Sequence, residues 1–134
     1  MSVALLHSEV FMPKWVKETV MAKERKIRNA YLSKHCEDNL FISNFKHDIE
    51  REKLLGIVNS LKTNPVMPFE VEITKDGTNY NVTKIVIRTN YNDERDISIV
   101  LRGNMIVTAW LNYKIDEHKT LDESKYIKSF SEIK

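Results

Sequence analysis

The chain has 134 residues, 42% hydrophobic and 30% charged, with three Gly, three Pro and a formal charge of +2, which describes one folded domain and excludes both a second independent domain and a disordered chain. A lone Cys36 excludes an intramolecular disulfide and a Cys-rich zinc cluster and suits a reducing compartment, while three glycines are too few for a P-loop or Rossmann phosphate loop. No apolar run reaches membrane-span length, and the opening MSVALL lacks the basic region and long apolar core of an export signal, so a cytoplasmic location without membrane contact is expected.

Residues 13–32 predict a helix. Pro13 suits its first turn, and Val16, Val20, Ala22 or Lys23, Ile27, Ala30 and Tyr31 recur at three to four residue spacing, so one face can pack. The other face is basic. Lys14, Lys17, Lys23, Arg25, Lys26, Arg28 and Lys34 are opposed only by Glu18 and Glu24, a local charge of +5 in a chain whose remainder is slightly acidic. A phosphate backbone selects such an asymmetry through counterion release, and a solvated helix face produces the same pattern. After a polar break at 33–44, a second helix is predicted over 48–61, with Asp48 as its cap and Leu54, Ile57, Val58 and Leu61 as its buried stripe. Pro65 and Pro68 end helical structure.

From Phe69 onward the period changes to two. Residues 69–73 and 82–88 alternate around a turn at 75–79, and further apolar runs at 97–101 and 106–111 are separated by a turn at Arg102-Gly103-Asn104. The expected organisation is a single α+β domain: a helical half at about 13–62, a strand meander at about 69–113 and a C-terminal tail at 114–134. The helices are expected to pack on a roughly four-stranded antiparallel sheet.

The last apolar strand runs directly into hydroxyl, amide, imidazole and carboxylate groups: Thr108, Trp110, Asn112, then Asp116, His118, Thr120 and Tyr126. Cleaving RNA through its 2′-hydroxyl requires a base, an acid and a cation for the phosphorane charge, roles suited to His and Arg. His118, among Asp116, Glu117, Thr120 and Tyr126, is one candidate acid or base, with an exposed loop His as the alternative. His35, at the end of the basic helix, is a second, with a helix-capping His as the alternative. Arg88 and Arg95 flank the turn at 90–93 and could hold phosphate, or Arg could pair across strands with Glu94 or Asp96. Thr108 and Trp110, two apart, share a face that could bond phosphate and stack a base, unless Trp110 packs in the core. His7 and His47 carry no such signal. No paired metal-ligand spacing is present, and Cys36 beside His35 in sequence does not make a thiol nucleophile with its base.

The helical half with Ser33-Lys34-His35 and Ile49-Glu50-Arg51, followed by a meander ending in Thr108-x-Trp110, resembles the small RNases of the barnase, EndoU, colicin D and RelE group. The segment from Arg88 through Tyr91, Arg95-Asp96-Ile97, Thr108-x-Trp110-Leu111-Asn112 and Asp116-x-His118 to Tyr126 also looks like uncharacterised phage-encoded proteins of that group. The resemblance spans roughly 34–126. It implies helices packed on a four-stranded antiparallel sheet whose exposed face holds RNA, and its colicin D branch would assign the acid or base to Lys34-His35. His118 is a second candidate which that pattern does not supply. The expected function is a metal-independent, cofactor-free endoribonuclease of phage or toxin type acting on mRNA or tRNA. His118 or His35 would transfer protons, Arg88 and Arg95 would hold phosphate, and Thr108 and Tyr126 would position the reacting groups. Lys23, Arg25, Lys26, Arg28, Lys34, Trp110 and Asn112 would bind the nucleic acid. The alternative expectation is a non-catalytic module on the same fold that binds nucleic acid or a protein partner, such as a host protein or an antitoxin.

Overall fold

The computed structural model describes residues 12–42 and 48–115, together with the backbone of the strand Ser2–His7. Among the described residues the order is β1 (Ser2–His7), α1 (Lys14–Arg25), β2 (Tyr31–Leu32), the short α2 (Lys34–Glu37) continued by one π turn (Asp38–Ile42), α3 (Arg51–Ser60), β3 (Glu70–Asp76), β4 (Asn79–Asn90), β5 (Arg95–Arg102) and β6 (Met105–Tyr113). The domain is α+β, as the change of hydrophobic period predicts.

Side chains from distant parts of the sequence set the helix limits. The Pro13 carbonyl accepts the N–H groups of Val16 and Lys17 and starts α1. The helix ends at Arg25 rather than near residue 32, because the backbone that follows is captured elsewhere. Arg28 N–H donates to Asn104 Oδ1 at 3.1 Å, Ala30 N–H to Asn59 Oδ1 at 2.9 Å, and Tyr31 N–H to the Asn104 carbonyl at 3.1 Å. Ser33 caps α2 by accepting the Cys36 N–H and donates its own hydroxyl to the Val107 carbonyl. The expected cap of α3, Asp48, instead lies 3.9 Å from Arg95, and α3 begins later, at Arg51. There the buried Tyr91 brings its hydroxyl to accept the Glu50 N–H at 2.9 Å, satisfying a donor that no side-chain cap satisfies.

The sheet order is β1-β3-β4-β5-β6-β2. Neighbours from β1 to β6 are antiparallel and β2 is parallel to β6, so the expected four-stranded antiparallel meander is present but carries an extra strand at each edge. Both additions lie outside the reach of periodicity. The strand β1 is a short apolar run that becomes a strand by pairing with β3, and β2 has only two residues, paired with Met105 and Ile106. Gly77 and Gly103, at φ of 61° and 60°, supply the left-handed backbone of the two hairpin turns.

Ile87, Ile99 and Ala109 stand side by side in the β4–β5–β6 register, with Ile85 and Leu101 paired in the adjoining row. This face packs with Val16, Val20 and Ile27 from α1 and its exit, Cys36 and Leu40 from the second helical segment, and Leu54, Val58 and Leu61 around α3, in one buried cluster. The α1 stripe contains a residue that spacing assigned to the wet face. Glu24 is fully buried; its Oε1 accepts the Val66 N–H at 2.8 Å, and Oε2 has no hydrogen-bond partner among the described residues. Burial pushes its carboxyl up from 4.5 to about 7, against the pull of the Val66 hydrogen bond. No described helix is long and apolar enough to cross a membrane.

A carboxyl with a higher pKa folded than unfolded keeps its proton better in the folded chain. The Glu24 contribution is therefore complete below pH 4.5, declines as pH rises and is lost through about 7. At roughly 1.4 kcal/mol per pKa unit this amounts to about 3 kcal/mol. Glu24→Gln keeps the shape and cannot ionise, so its stability relative to the parent chain is expected to rise by about 3 kcal/mol between roughly pH 4.5 and pH 8. Urea unfolding of both chains across that range measures the difference, and a pH-independent difference would contradict the assignment.

Candidate nucleic-acid interface

Strand alternation places a second set of residues on the side of the sheet opposite the described helices. In one cross-strand row stand Arg88, Ser98 and Trp110. Asn90, Asp96 and Asn112 form the row on one side of it, and Val86, Val100 and Thr108 the row on the other. The β6 residues on this face are therefore Thr108, Trp110 and Asn112, with Trp110 41% exposed. Trp110 is not part of the core. An extra β6 residue, Val107, separates the pairs Val100–Thr108 and Leu101–Ile106, so both Ile106 and Ala109 remain in the core while Thr108 faces the other way.

Two carboxylates organise the charges of this polar face, each held by two cations. Asp96 accepts from Arg88 Nε at 3.1 Å and from Lys114 Nζ at 3.0 Å, and Lys114 also donates to Asn90. Arg88 Nη2 donates to the Tyr113 carbonyl at 3.0 Å. At the other end of the face Glu72 lies 3.6 Å from Lys84 and 3.4 Å from Arg102, and accepts the Thr83 hydroxyl at 2.8 Å. Partial burial raises the Asp96 carboxyl, but Lys114 and Arg88 outweigh it and hold the group below its ordinary range. Partial burial likewise raises Glu72, and Thr83, Lys84 and Arg102 bring it below. Both carboxylates are ionised. With Glu70, opposite Val86, the face carries Lys84, Arg88, Arg102 and Lys114 against three acids.

The expected site residues are thus only partly brought together. Arg88, Thr108, Trp110 and Asn112 share the polar face, and the Ser98 hydroxyl donates to Asn112 Oδ1 at 2.7 Å. Of the two pairings open to Arg88 on sequence, the one with Asp96 is formed. Arg95 follows the alternation of Ile97 and Ile99 onto the helix side, where its guanidinium lies 4.9 Å over the Tyr113 ring and reaches Asp48. Arg88 and Arg95 therefore cannot clamp one phosphate from the same face. His35 and Lys34 are exposed on α2, whose Cys36 packs into the helix-side core; Lys23, Arg25, Lys26 and Arg28 are exposed on α1 and its exit. His118 and Tyr126, with Asp116 and Thr120, lie outside the described residues. The Glu72–Lys84–Arg102 cluster was missed in the sequence. Opposite charges at alternating positions of one hairpin, Glu72 and Lys84, were the available signal, and they carry meaning only once the register sets them opposite each other.

No protein-family model matches the chain, and neither does any curated protein or solved structure.

Asp96 is the residue that holds Arg88 and Lys114 in place. Asp96→Asn leaves two cations facing each other with a weaker acceptor and is expected to cost about 1–3 kcal/mol of stability. Denaturant titration at neutral pH checks this, and an unchanged midpoint would show that the pairs are energetically idle.

Proposed function

We propose that this protein binds single-stranded RNA on the polar face of its sheet. The observation that carries the reading is the row Arg88, Ser98 and Trp110, flanked by Thr108 and Asn112: a half-exposed indole on a face that also carries hydroxyl, amide and guanidinium groups. Every base has a π face, so an indole in this position stacks any base, and the neighbouring donors suit the sugar and phosphate. The resemblance to the small RNases, whose exposed sheet face holds RNA, is the reason to take RNA as the ligand of this face. A cytoplasmic location fits the reading, since RNA is at hand there and the buried Cys36 stays reduced.

A second reading is metal-independent cleavage of the bound RNA. It is favoured by Arg88 and Thr108 lying on the same face of the sheet, which brings a cation and a hydroxyl to one surface. It requires an acid–base group to join them. His118 is the candidate, since His35 belongs to the helix side.

Trp110→Ala is expected to weaken binding of a labelled single-stranded RNA by about 1–3 kcal/mol, the value of one stacked base, and to remove the quenching of tryptophan emission that RNA produces in the parent chain. Fluorescence anisotropy measures the first, and unchanged affinity would overturn the proposal. Binding that ignores ionic strength would point instead to a host protein or an antitoxin as the partner. The same RNA incubated in EDTA tests cleavage: fragments from the parent chain that His118→Ala abolishes and His35→Ala leaves support the second reading, and RNA that stays intact rejects it.

A further inference from the structure

The end of the sheet beside the β5–β6 hairpin holds a notch that RNA binding at Trp110 does not use. The strand β4 spans Asn79–Asn90, but β5 pairs with it only from Ile85 opposite Leu101, because the chain turns back at Gly103. The residues before Ile85 therefore run past the β5–β6 hairpin with β3 along one edge only. The last turn of α1 and its exit close the back. The result is a notch of about 30 Å³ whose lining is half apolar, from the core residues Ile27, Val82, Ile85 and Leu101, and half polar or small, from Lys23, Thr83, Lys84 and Gly103.

The notch is cationic and small. Lys84 and Arg102 share the single carboxylate of Glu72, and Lys23 adds a third positive charge without an ion pair among the described residues. Of these cations only Lys23 and Lys84 line the notch itself, and with Lys84 paired to Glu72 the lining keeps an excess of about one positive charge. Lys23 and Arg25, in the last turn of α1, offset the negative helix end that would otherwise repel an anion. A space of this size accommodates about two water-sized groups, which suits phosphate oxygens entering from solvent. Lys84 also lies on the face and strand of Arg88, four residues away, or about 14 Å along β4. A chain stacked on Trp110 can therefore reach it.

We propose that this notch is a phosphate-binding site, with Lys23 and Lys84 as its charged walls, and that it receives a backbone phosphate of the RNA held on the polar face. The second part rests on the RNA-binding reading; the first does not. It also gives a role to one residue of the basic α1 run, since Lys23 reaches the sheet end while the helix body lies across the sheet from Trp110.

The test uses the full chain, isotopically labelled. Inorganic phosphate is expected to shift the amide resonances of Thr83, Lys84 and Gly103, whereas chloride at equal ionic strength leaves them in place. Lys23→Met, an exposed change that leaves the Glu72 pairs intact, is expected to weaken phosphate binding severalfold. It is also expected to reduce the slope of log affinity for RNA against log salt by about one. Equal shifts with chloride, or shifts scattered over the surface, show an adventitious ion only and overturn the proposal. If phosphate leaves the notch unperturbed while RNA still quenches Trp110, the notch inference fails and the RNA-binding reading stands. If phosphate occupies the notch but Lys23→Met leaves RNA affinity and its salt slope unchanged, the site takes free phosphate and its assignment to RNA is overturned.

Discussion

The pairing of Ile87 with Ile99, and of Ile99 with Ala109, settles which way every neighbouring residue in the sheet points. Side chains alternate, so a row of aliphatic residues packed under the helices requires that the next row, Arg88, Ser98 and Trp110, face the other way. A slip of one residue would drive the Arg88 guanidinium into the apolar cluster and bring Ile87 out of it. Burial of the isoleucine rows thus holds the polar face together as firmly as any contact within that face. The bulge at Val107 is part of the same constraint, since it lets Ile106 and Ala109 both remain in the core.

Charge is handled differently on the two sides of the sheet. On the polar face each of the two organising carboxylates satisfies two cations, which leaves Glu72 and Asp96 ionised and fixes Arg88, Lys84, Arg102 and Lys114 at known positions. Fixed cations and donors lose little freedom when a ligand arrives, which favours binding over a flexible basic surface. On the helix side Arg51 and Glu37 join α3 to α2, with the guanidinium also 4.7 Å over the Phe41 ring. Among the described residues Glu24 alone is a charged side chain buried without a counter-charge, and its environment drives it toward the neutral form instead.

These two treatments divide the surface into regions with separate capacities. The face with Trp110 offers stacking and directional hydrogen bonds but little excess charge. The basic α1 run offers mainly charge, and the notch at the β4 overhang is lined by Lys23 of that run and by Lys84 of β4. Nucleic acid asks for both kinds of contact, phosphate contacts for position and affinity and stacking for its bases.

The main strands, the helix cores and the presence of Thr108 and Trp110 on one face were legible in the sequence, because period two and period three or four are local consequences of backbone geometry. The edge strands were not legible: β1 and β2 exist through the backbone partners they find, and a two-residue strand has no period. Helix ends were read too generously, since Asn59, Asn104 and Tyr91 compete for the backbone from far away in the chain. The sequence by itself determined the class of fold and which residues could do chemistry. Tertiary structure alone decided that Glu24 is core rather than surface, that Arg88 faces Asp96 while Arg95 lies on the other side, and that Lys23 and Lys84 line one notch. Those facts depend on cross-strand register and helix placement, which join residues that no local spacing connects.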